Sequence, residues 1–213
     1  MEVRGTSSII AICAWLLASC GPQALVLPED PVDRAATCGS VTAASARTAT
    51  AVAAPLSLEA IGKVLHYPMM AGSAGEGFSS DLATSVQTRM SELQDSIGEG
   101  KWQDLIPACH AAFPAAAIKK VTLPTDRFAA QLGCDELGDF LLSSLEEQEE
   151  YVNELGEYRQ LRNKLEMPVS AGLRSRAGAD PGARQEERRK ALATMANAGP
   201  PVAVMKACLA RFG

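Results

Sequence analysis

Aromatic side chains are scarce in this sequence. Phe, Trp and Tyr together make up 5% of 213 residues, and only two histidines occur. Strand-rich sandwiches and barrels draw on aromatic and β-branched residues, so such folds are disfavoured. Two histidines also leave little material for imidazole-rich metal centres. Basic residues are outnumbered, 20 Lys and Arg against 25 Asp and Glu, for a formal net charge of −5. A chain with that balance has no electrostatic case for nucleic acid, which calls for a basic face. Long apolar runs are missing too. Ile9 to Leu17 is uncharged, but it falls well short of the roughly 20 residues that cross a bilayer.

Alanine and other apolar residues are plentiful, and hydrophobic residues reach 47%. Wholesale disorder is thereby excluded. Alanine favours helix and adds little volume, which suits closely packed helices. The length fits one domain. The expected fold is all-α, a small bundle of four to six helices.

The first residues have the layout of an export signal. Arg4 precedes the apolar run, and small residues follow it. A run of this length matches the core of a cleavable signal peptide. Leu17-Ala18-Ser19-Cys20 resembles the lipobox of bacterial lipoproteins. That resemblance covers only the first twenty residues. It implies cleavage after Ser19, a diacylglyceryl group on Cys20, and attachment to the membrane through several acyl chains. Removing Glu2 and Arg4 with the leader leaves the net charge unchanged. Gly21 follows the cysteine in place of an aspartate that can retain lipoproteins at the inner membrane. The implied location is therefore the outer membrane, facing the periplasm. The alternatives are a soluble secreted protein cut near Ser19 or Ala24, and an uncleaved anchor.

Of six cysteines, Cys13 leaves with the leader and Cys20 takes the lipid. Cys38, Cys109, Cys134 and Cys208 remain. An even number in an oxidising compartment reads as two disulfides. Four cysteines allow three pairings. If the helices holding Cys109 and Cys134 formed an antiparallel hairpin, those two would pair, leaving Cys38 to join Cys208. The spacings exclude paired zinc knuckles.

The chain divides into a signal peptide over 1–19, a Pro-rich tether over 20–37 and a single helical domain over 38–213. Helices are expected over 43–54, 57–70, about 80–97 and 102–113. A long one follows over 126–166, where the residue before Pro168 should end it. A Gly-, Ala- and Arg-rich mobile loop is expected over 168–182. Helices then resume over 183–198 and from Pro201 onward. The run 118–123 is β-like but too short for a sheet. Ile106-x-x-Cys109-x-x-x-Phe113 recurs as Met205-x-x-Cys208-x-x-x-Phe212, a candidate duplicated packing unit.

Few features suggest chemistry. His66, Met69 and Met70 bring an imidazole and two thioethers to one helical face, a donor set that suits Cu(I). Methionines also fill core gaps. Cys109-His110 is half of a haem-attachment motif that needs Cys-x-x-Cys-His. Gly72 to Gly77 is glycine-rich but follows a helix, so it reads as a linker. Nine acids and no base lie between Asp135 and Glu157, read as a solvated helix surface. Arg174, Arg176, Arg184, Arg188, Arg189 and Lys190 form the main basic cluster, read as a solvated face with intrahelical pairs such as Glu186–Lys190. No nucleophile–base pair has recognisable spacing. The expectation is a non-enzymatic binding or structural module without a cofactor, acting on the membrane and on an envelope protein partner. A periplasmic copper-binding protein using His66, Met69 and Met70 is the alternative.

Overall fold

A computed structural model describes residues 26–51 and 54–213. Among them are eight α-helices and no strand. They are α1 (Pro31–Thr48), α2 (Leu58–Gly72), α3 (Ser80–Glu99), α4 (Ile106–Ala112), α5 (Arg127–Leu145), α6 (Val152–Ala177), α7 (Pro181–Ala198) and α8 (Pro201–Phe212). Short 3₁₀ turns lie at Trp102–Leu105, Pro114–Ala117 and Glu149–Tyr151. The helical class stands, with more helices than four to six. The leader over 1–19 and the lipobox at Cys20 lie outside the described residues.

The first difference is at the tether, whose end is helical. Asp30 caps α1, its Oδ1 accepting from the Val32 and Asp33 amides at 2.9 Å. Pro31 sits in the first turn, where a missing N–H costs nothing. Ala35, Ala36 and Cys38 are then fully buried. These small residues let α1 lie close to α3. A Cβ on Gly39 would stand 2.6 Å from the Met90 sulfur.

The long helix expected over 126–166 breaks after Leu145. Gln148 adopts an extended conformation, and Tyr151 leads into α6. Pro168 does not end α6. An interior proline costs about 3 kcal/mol. Burying Leu165, Val169 and Leu173 on the same stripe contributes about 1.5–3 kcal/mol each and outweighs that cost. Most of the expected loop over 168–182 is therefore helix. The break falls at Gly178, with φ +63°, and Asp180 caps α7 through the Gly182 amide.

The helices form two halves. Leu132, Leu137, Leu141, Leu155, Leu161 and Met195 centre the larger core, built on α5–α8. Val41, Tyr67, Trp102 and Leu105 centre a smaller one within α1–α4. Helix α2 serves both, sending Met69 into the larger and Tyr67 and Met70 into the smaller.

The disulfides follow the halves and correct the hairpin pairing. Cys38 on α1 joins Cys109 on α4, and Cys134 on α5 joins Cys208 on α8. The turn at Pro114–Ala117 and the extended stretch after it carry the chain out of the first core before α5 begins. Cys109 and Cys134 therefore never stand level. Each half repeats one plan, in which the first helix is stapled to the fourth. An aspartate cap, Asp30 or Asp126, stands eight residues before the first cysteine. The second helix carries Pro-x-x-Ala-Gly, at Pro68–Gly72 and again at Pro168–Gly172. The recurrent Cys-x-x-x-Phe motif supplies the closing cysteine both times.

Candidate functional site

The copper candidates do not share an environment. The His66 ring is buried at 1% exposure, and Nε2 donates to the Ala196 carbonyl on α7 at 2.7 Å. Nδ1 has no hydrogen-bond partner among the described residues. Burial pushes the His66 pKa down to about 4, against a smaller upward pull from the Ala196 carbonyl. Met69 and Met70 diverge into different cores. The imidazole thus ties α2 to α7. No group of three or more His, Cys, Asp or Glu among the described residues is placed to hold a metal ion. Cys109 is committed to its disulfide, so the half motif at Cys109-His110 offers no thiol for a haem bond.

Part of the acidic cluster and part of the basic cluster are not solvated faces, contrary to the sequence expectation. Asp135 on α5 is 6% exposed and lies between two guanidinium groups. Arg162 Nε of α6 is 3.2 Å from it, and Arg188 Nη1 of α7 is 3.4 Å from it. Arg162 also reaches Asp139 at 2.7 Å, and Arg188 contacts Glu136. Burial raises the Glu136 pKa, and the Arg188 charge offsets part of that rise. These ion pairs bolt three helices together. The exposed pair Glu186–Lys190 forms within α7 at 3.5 Å. The glycine-rich turn is docked rather than loose. Arg189 Nε donates to the Phe78 carbonyl at 2.7 Å, and the Phe78 amide donates back to the Arg189 carbonyl at 3.0 Å.

One feature with the shape of a ligand site is a groove between α1, α2 and α3, about 650 Å³ in volume; a larger concavity of about 810 Å³ beside Tyr67 and Ile106 carries both Glu59 and Lys63. The groove's apolar lining includes Leu56, Ile61, Val64, Leu65, Met90 and Trp102. Ser40, Thr48, Gln87, Ser91 and Gln94 add neutral polar groups. Arg47 is the one charged residue in the lining among the described residues. Its Nη1 donates to the Ala54 carbonyl at 2.6 Å, and no carboxylate among the described residues pairs with it. Leu56 is held in place by the Tyr151 hydroxyl, which donates to its carbonyl at 2.6 Å. Volume, apolar lining and a few polar groups match the usual build of a small-molecule pocket. The sequence does not show the groove because its α1 wall, Ser40 to Thr48, falls partly before and partly inside the helix expected over 43–54, whereas α1 runs from Pro31 to Thr48. The signal that could have found it is Asp30-Pro31, a cap followed by an N1 proline.

No protein-family model, curated protein or solved structure matches this chain.

Proposed function

We propose that this chain is a non-enzymatic binding module of the bacterial cell envelope, held to the outer membrane by acyl chains on Cys20 and facing the periplasm. The observation that carries the reading is the pair of buried disulfides. They use all four cysteines of the described region, and structural disulfides persist where the compartment is oxidising. A leader ending in Leu17-Ala18-Ser19-Cys20 supplies the route to such a compartment. No helix among the described residues is long and apolar enough to cross a membrane, so attachment in this reading rests on the lipid. The α1–α2–α3 groove is the binding face, and the ion pairs around Asp135 keep the second half rigid behind it.

Intact-mass measurement on protein from its native host tests the placement. The expected species begins at Cys20, carries added acyl mass, and loses four hydrogens' worth of mass to two disulfides. A chain that begins at Met1, or one with an unmodified thiol at position 20, overturns the anchored reading.

A further inference from the structure

We propose that the groove between α1, α2 and α3 binds a long-chain free fatty acid, with the hydrocarbon along the apolar floor and the carboxylate on Arg47. This inference rests on that groove being the binding face of the module. The argument for the ligand class is charge. Four other concavities each carry charges of both signs, as with Glu59 and Lys63 in one and Asp33, Glu92 and Arg89 in another. Among the described residues the groove carries one cation and no carboxylate, in a chain whose net charge is −5. A lone, unpaired guanidinium at the edge of an apolar trough complements a single anionic head on an apolar tail. The guanidinium gives a carboxylate charge-assisted hydrogen bonds, with donors left over after the bond to Ala54. The floor suits a flexible chain. Met90 adapts its shape to irregular partners, and Ile61 and Leu65 are half-buried and leave apolar surface open to the groove, while the buried Leu56 and Val64 back them. A cationic amphiphile would meet like charge at Arg47, and an uncharged one would leave it unanswered.

Trp102 lines the groove and reports occupancy. The sequence has one other tryptophan, Trp15. In a Trp15→Phe background Trp102 is the sole tryptophan whether or not the leader is removed. Full-length protein in a non-ionic detergent is titrated with ω-bromododecanoate, whose bromine quenches indole fluorescence on contact. Comparing variants at one probe cancels partition into the detergent. Saturable quenching is expected, and Arg47→Gln should weaken it by about tenfold or more, the scale of a charge-assisted contact. The neutral ω-bromododecanol should bind wild type as weakly as the acid binds the variant. Ala43→Phe, which fills the groove from α1, should abolish saturable quenching while circular dichroism stays native. Non-saturating quenching, equal quenching by acid and alcohol, or an Arg47→Gln curve matching wild type would each overturn the proposal. Arg47 is exposed, so that variant decides the matter if Ala43→Phe fails to fold. None of these outcomes alters the mass of the amino terminus, so a failed ligand is distinguishable from a failed anchor.

Discussion

His66 makes stability depend on pH in a calculable way. The imidazole is 1% exposed, donates through Nε2 to Ala196, and has no partner at Nδ1 among the described residues. Protonation would place a cation between α2 and α7 facing no counter-charge that the hydrogen bonds supply. The folded-state pKa is about 4 against 6.5 for the free side chain. The unfolded chain therefore binds the proton first, and stability falls as pH drops from above 6.5 toward 4. At 1.36 kcal/mol per pH unit, the shift amounts to about 3 kcal/mol in full and about 2 kcal/mol by pH 5. The test is urea unfolding under non-oxidising, non-reducing conditions, so that both disulfides stay intact, followed by Trp102 fluorescence between pH 8 and pH 5. The comparison is His66→Gln, whose amide nitrogen can occupy the Nε2 position without titrating. Wild type should lose about 2 kcal/mol more than the variant across that range. Glu136 is raised by burial and so stabilises toward low pH, the opposite direction, but it is common to both proteins and cancels in the difference. Parallel pH profiles for the two proteins would refute the reasoning.

Other expectations follow from packing and connectivity. Replacing Cys38 and Cys109 together by alanine opens a crosslink between residues 71 apart, a loss of about 4 kcal/mol in the chain-entropy model, readable as a drop in the urea midpoint. Non-reducing peptide mapping should recover Cys38 with Cys109 and Cys134 with Cys208, and a fragment joining Cys38 to Cys208 would contradict the two-half plan. Gly199→Ala should cost about 1–3 kcal/mol, because φ there is +141° and side chains rarely adopt that region. An unchanged thermal midpoint would show that the α7–α8 turn relaxes freely. Asp135→Asn should cost about 1–2 kcal/mol by weakening the contacts to Arg162 and Arg188, and because Asp135 is buried, added salt should change the difference between the two proteins little.

Local rules were legible where the chain had only local choices. Leu82, Val86, Met90, Leu93 and Ile97 recur at the spacing of one helical face and lie in α3, whose N-cap is Ser79. Pro201 opens α8 in the first turn, and Gly199 supplies the preceding break. The same rules failed where burial overrode them. Pro168 should have stopped a helix, but the buried stripe on either side held it together. Asp135 and Glu136 read as solvated acids because their counter-ions sit on α6 and α7, remote in the chain and adjacent only once the helices pack.

Composition and periodicity by themselves determined that this protein is helical and that the four cysteines of the described region form an even set. These follow from side-chain chemistry, which acts within a few turns of chain. Only the tertiary structure decided which cysteines meet, that α2 belongs to both cores, and that Arg47 stands over an apolar trough. Such facts depend on helices far apart in sequence arriving at one place, and that is set by how small residues such as Ala35, Ala36 and Gly39 let those helices approach.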